Sequence, residues 1–143
     1  MRVLGIDYGA RRIGLALSDA TATLASPWRL IERPASPQDT LTLLVREIRQ
    51  LIESDDGLGA VVVGWPRRLD GSPSHQTGNV ESLARALEQQ LEIPVILQDE
   101  RLSSHEAETR LASSERDWRR RKKKLDAAAA AIVLQDYLDE QRG

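Results

Sequence analysis

Val3-Leu4-Gly5-Ile6-Asp7-Tyr8-Gly9-Ala10-Arg11-Arg12-Ile13-Gly14-Leu15-Ala16-Leu17-Ser18 is the stretch whose reading decides the fold. Val3–Asp7 is a short apolar run of the kind that makes a buried strand, and it is closed by an acid. Tyr8–Arg12 follows as a turn in which Gly9 can take positive φ, and Ile13–Ser18 supplies the hairpin partner. Outward from this hairpin, Leu24–Ile31 is predicted as a third strand, with Pro27 suited to a sheet edge. Ser36-Pro37 opens a helix with Leu41, Leu44, Val45, Ile48, Leu51 and Ile52 at helical spacing, ending near Asp55-Asp56-Gly57.

Ala60-Val61-Val62-Val63-Gly64 is a continuous β-branched run, the pattern of a strand covered on both faces. Trp65–Asn79 reads as a polar loop, Val80–Leu91 as a helix, and Pro94–Gln98 as a further buried strand ended by Asp99-Glu100. Ser103 or Ser104 caps a helix to about Leu111, and Leu125–Leu138 forms the last one. The order predicts an α/β fold of one domain over residues 1–143: a five-stranded mixed sheet flanked by helices.

With 143 residues the chain is long enough to bury roughly 68–70% of its unfolded surface in one core. It has no Cys, which excludes a disulfide framework, a thiolate zinc site and a Cys nucleophile. No apolar run approaches a membrane span and no leader pattern opens the sequence, so a cytoplasmic protein with no membrane partner is expected. The net charge of −2 is unevenly spread: Arg116–Lys124 carries seven bases and one acid, on an otherwise acidic body. Such a patch can recruit phosphate whatever the overall charge. The absence of Phe argues against a platform of stacked rings for single strands.

At three places carboxylates stand where surface patterning does not explain them. Asp7 ends the first buried strand, Asp99-Glu100 ends the last, and Asp126 shares a helical stripe with Ala130, Val133, Leu134, Tyr137 and Leu138. Taken singly, each has a plain reading as a strand-end cap, an ion-pair partner of Arg12 or Arg101, or a helix cap. Together they suggest converging oxygens, which favour a hard cation, Mg²⁺ or Mn²⁺. Two such ions suit an in-line phosphodiester displacement. The alanines from Ala127 to Ala131 would let the last helix lie close to the sheet. Arg11 and Arg12 follow Asp7, and Arg67 and Arg68 follow the Gly64 strand, at places where phosphate contacts position a backbone. Arg119, Arg120, Arg121, Lys122, Lys123 and Lys124 form a mobile segment leading straight into Asp126, read as a flexible phosphate clamp. Trp65 suits either base stacking or a plug at the core edge.

Gly5–Asp19 resembles the opening motif of the YqgF-type (RuvX-like) family of Holliday junction resolvase-like proteins, also called pre-16S rRNA nucleases. Val62-Val63-Gly64-Trp65-Pro66 with Asp70-Gly71-Ser72 is similar to that family's glycine–proline loop. Asp99–Ser104 with Ala107, and Asp126–Ala130 with Ile132–Gln135, resemble its last two blocks. The resemblance implies a ribonuclease H-like fold and a metal-dependent endonuclease. Its substrate would be the 5′ end of pre-16S rRNA, branched DNA, or both. Asp7, Glu100 and Asp126 would be the catalytic, metal-binding acids, with Asp99 ranked below them. A junction substrate implies a homodimer, because two opposed strands must be cut. The alternative is a non-catalytic nucleic-acid-binding module in ribosome maturation, transcription or repair.

Overall fold

The computed structural model describes residues 1–9, 11–65, 77–99 and 118–142, with residues 77 and 118–127 described by their backbone alone. The elements are β1 (Arg2–Tyr8), β2 (Arg12–Ser18), β3 (Ala25–Glu32), α1 (Pro37–Glu53), β4 (Leu58–Trp65), α2 (Thr77–Gln90), β5 (Val95–Asp99) and α3 (Trp118–Arg142). The strands form one five-stranded sheet in the order β3-β2-β1-β4-β5. β1, β2 and β3 pair antiparallel, while β4 and β5 run parallel to β1. Pro27 lies on edge strand β3, where the missing N–H costs no ladder bond in the interior.

The pleat divides β1 between two cores. Leu4, Ile6 and Tyr8 join the larger cluster, with Leu44, Val45 and Ile48 of α1 and Val80, Leu83 and Leu87 of α2. Val3 joins the other cluster with Val62 and with Ala130, Val133, Leu134 and Leu138 of α3. Helix α1 starts as its sequence dictates: the Ser36 Oγ accepts from the Asp39 N–H at 3.0 Å, and Pro37 occupies the first turn. β4 is buried from Ala60 to Gly64, as its unbroken apolar run requires.

Helix α3 seats on Gly5. A Cβ at that position would stand 2.8 Å from the Leu134 Cβ and 3.2 Å from the Ala130 carbonyl oxygen, so only a glycine allows this approach. The Gln135 amide fixes the helix laterally: its Oε1 accepts from the Ala25 N–H at 2.9 Å and its Nε2 donates to the Thr23 carbonyl at 3.0 Å. At the β2–β3 connection the Asp19 carboxylate accepts from the N–H groups of Thr23 (2.8 Å) and Leu24 (3.2 Å) and from the Thr21 hydroxyl (2.9 Å).

The structure corrects several sequence expectations. The basic run is not a separate loop: α3 already begins at Trp118, so Arg119–Lys124 and Asp126 belong to one helix. Arg, Lys and Ala are all good helix formers, and the like-charge repulsion of a few tenths of a kcal/mol per pair does not offset that preference. Helix α2 starts at Thr77 rather than Val80, and β4 reaches Trp65. Gly9 does not take positive φ, a conformation that Gly57 adopts instead. The helix expected from Ser103 or Ser104 to Leu111 lies outside the described residues, as does the loop at 66–76.

Gly5→Ala is expected to destabilise the protein by about 1–3 kcal/mol through overpacking. Gly78→Ala, where a Cβ meets nothing within 4 Å, should instead stabilise it, by about 0.4–1 kcal/mol. Urea denaturation of both variants checks the contrast. Hydrogen bonds from Thr23, Leu24 and Thr21, in that order of importance, hold the Asp19 carboxyl below its ordinary pKa. Its stabilising contribution is therefore present above the usual carboxylate range of about 4 and is lost as pH falls through the folded-state value. Wild type should lose its advantage over Asp19→Asn as acid is added, which unfolding curves measured from about pH 6 to about pH 2.5 would show.

Candidate active site

β1, β4 and β5 are parallel and end at the same edge of the sheet with Asp7-Tyr8, Trp65 and Asp99. In such sheets this edge is where ligands bind. Asp7 is half-buried, pairs with Gly14 of β2, and follows Gly5 by two residues, so it lies on the face covered by α3. Asp126 lies on α3 one helical turn before Ala130, the residue whose carbonyl abuts Gly5.

Register also settles the neighbouring acid. Leu4, Val61 and Val95 stand side by side, as do Ile6, Val63 and Leu97, and the series continues through Trp65 and Asp99. Asp99 is thus on the α1/α2 side of the sheet, opposite to Asp7. Gln98, in the alternate phase, reaches α3 and donates to Glu140 at 3.1 Å. Glu100 lies beyond the described end of β5, and the side chain of Asp126 is likewise outside the described set. Among the described residues no group of three or more His, Cys, Asp or Glu is placed to hold a metal. On the α3 face of this edge the described residues provide Asp7, a hard-oxygen donor at the end of the strand whose Gly5 seats the helix. That donor chemistry fits Mg²⁺ or Mn²⁺ and not a soft cation.

The turn after Asp7 is tightly built. The Gly9 N–H donates to the Asp7 carbonyl at 3.2 Å and to the Arg12 carbonyl at 3.0 Å. A Cβ on Gly9 would come within 2.6 Å of that Arg12 oxygen, so glycine is required here by close approach. Arg12 pairs with Glu32 across the strands at 3.5 Å, and Glu32 is largely exposed, so the pair is weak and exchangeable. Arg11 is exposed at the tip. Trp65 is a core-edge plug: it packs on the larger core and its Nε1 donates to Glu81 of α2 at 3.1 Å. Arg67 and Arg68 lie outside the described residues, and the side chains of Arg119 to Lys124 are not described.

One neighbour of the turn escaped the sequence reading. Arg33 leaves the end of β3 and places its guanidinium 4.0 Å from the centre of the Tyr8 ring. The β2–β3 register, which sets Arg12 against Glu32, is the signal that could have revealed it, since it carries Arg33 to the turn.

Comparison with known proteins gives the same reading for the whole length. The family described as RuvX, Holliday junction resolvase, matches residues 1–140. The chain belongs to the RuvX family. A relative from Maridesulfovibrio salexigens, named "Putative pre-16S rRNA nuclease", is 39% identical over 138 residues, covering 96% of this chain and 98% of its own. Among solved structures, the fowlpox virus resolvase in complex with Holliday junction DNA superposes with a TM-score of 0.60 at 11% identity, over 100% of both chains. Thermus thermophilus RuvC in complex with a Holliday junction gives a TM-score of 0.55 at 16% identity, over 100% of this chain and 96% of that one. At such identities the two structures speak for the fold, and the fold of this RuvX-family chain is ribonuclease H-like.

Proposed function

We propose that this chain is a metal-dependent endonuclease that hydrolyses phosphodiester bonds in structured nucleic acid, either precursor 16S rRNA near its 5′ end or four-way DNA junctions. The observation that carries the proposal is the position of Asp7. It is a half-buried carboxylate at the carboxyl end of the central strand, on the face closed by α3, in a chain that matches the RuvX family almost throughout. The names of the relatives and the fold of the resolvases support the same class of reaction.

Asp7, Glu100 and Asp126 would hold Mg²⁺ or Mn²⁺. When bound, the cation supplies Lewis-acid stabilisation of the charge that develops on the phosphoryl oxygens. The chain's own residues do the rest. Asp7 is presented by a strand whose pleat is fixed on one side by the larger core and on the other by α3. Arg11 and Arg12 stand four and five residues beyond it, so a phosphate group next to the carboxylate would meet a guanidinium. Arg119 to Lys124, on the helix that also carries Asp126, would hold a neighbouring stretch of backbone by charge and not by sequence.

Asp7→Asn should lower cleavage by about 10²–10³-fold, the equivalent of several kcal/mol of transition-state stabilisation, while nucleic-acid binding survives. Excess chelator should do the same to wild type, and cleavage unchanged in either arm refutes the reading. Precursor fragments and synthetic junctions, assayed side by side with the oligomeric state measured in the same buffer, separate the two substrates. Replacing the bases at 119 to 124 by glutamine should weaken binding similarly for all sequences. The salt slope should fall by about 0.7–0.9 for each phosphate contact removed, measurable by titration at several salt concentrations.

A further inference from the structure

We infer that Arg33 is a positioning residue of the Asp7 site, fastening the β1–β2 turn to the end of β3. Its catalytic consequence rests on the nuclease reading above, whereas its geometry stands independently. Within the turn the Gly9 N–H donates to the Asp7 and Arg12 carbonyls, and the tip residue Arg11 is exposed. Arg33 supplies anchorage from outside at three points. Its backbone N–H donates to the Arg11 carbonyl at 2.9 Å, its Nη1 donates to the Gly9 carbonyl at 3.1 Å, and its guanidinium covers the buried Tyr8 ring.

These anchor points lie one, two and four residues beyond Asp7. Successive side chains of a strand point to opposite faces, so a Tyr8 ring held in the larger core fixes the pleat and thereby the direction in which Asp7 leaves the sheet. Fastening the Gly9 and Arg11 carbonyls also fixes where the turn sends Arg11 and Arg12. Arginine suits this task because its planar guanidinium can stack on a ring face and donate in its own plane at once, which an ammonium cannot. Arg29, on β3 itself, pairs instead with Glu47 of α1 at 2.6 Å and so provides a comparison away from the turn.

The test uses the full-length protein and two readouts: amide hydrogen exchange at Gly9 against Leu15 in β2, and steady-state cleavage with Mg²⁺ or Mn²⁺. In Arg33→Ala, exchange at Gly9 should accelerate about 10-fold or more while Leu15 keeps its protection, as expected of local opening. The kcat should fall about 10-fold with KM within about twofold, because a misplaced group and not a lost substrate contact is responsible. Arg33→Lys should rescue only partly. Arg33→Met, which keeps an apolar stem over Tyr8 but donates nothing, guards against a folding defect in the alanine variant. Arg29→Ala should behave as wild type in both readouts. The inference is overturned if Gly9 protection is unchanged in Arg33→Ala. A raised KM with intact Gly9 protection also overturns it, since Arg33 lines a hollow of about 390 Å³ with Gln38, Asn79 and Ser82 and would then be a substrate contact. If wild type itself fails to cleave, the nuclease reading falls, and the exchange measurement still decides the role of Arg33.

Discussion

The seating of α3 on the bare backbone of Gly5 is the contact on which the rest of the architecture depends. Side chains normally hold packed layers well apart, about 10 Å for two stacked sheets. Here the sheet contributes a hydrogen at Gly5, Val3 and Val62 flank it, and the helix contributes Ala130 and the stem of Leu134. That close approach brings the acid-bearing helix against the acid-bearing central strand. Asp7 is the next residue of β1 in the same phase as Gly5, and Asp126 is one turn up the helix from Ala130. A larger residue at position 5 would therefore disturb the smaller core and the approach of the two acid-bearing elements together.

The two faces of the sheet carry different duties. The face under α1 and α2 holds the larger aliphatic core, including the fully buried Leu4, Ile6, Leu44, Ile48 and Leu87, and supplies most of the hydrophobic stabilisation. The face under α3 is built from smaller side chains, which leaves space at its end for charge. Trp65 and Tyr8 illustrate the division: both aromatic residues at the working edge turn into the larger core, one bonded to Glu81 and the other capped by Arg33. Neither is a stacking platform. On the proposed reading, contact with nucleic acid would be left to charged groups, which position a backbone and do not read bases.

The distribution of charge gains a definite form in the helix. As six consecutive residues of α3, Arg119 to Lys124 occupy more than one and a half turns of that helix. On the proposed reading, the cations and Asp126 would act from one and the same helix. The acidic remainder of the molecule would repel polyanions elsewhere, and so favour approach at this end.

Much of this was legible in the primary structure. The apolar runs of β1, β2 and β4, the Ser36-Pro37 start of α1 and the stripe from Ala130 to Leu138 all follow from local pattern, because burial on one or both faces leaves a period that can be counted. The family resemblance rested on residues in order along the chain and needed no coordinates. Tertiary structure alone decided the matters that depend on contacts between distant segments. Gly9 is small because the Arg12 carbonyl crosses it, Asp99 is set opposite Asp7 by pairing across three strands, and Arg33 reaches Tyr8 and Gly9 from 24 residues away. A side chain's phase along its own strand is local information, but which carbonyl, ring or helix it meets is fixed only when the sheet closes.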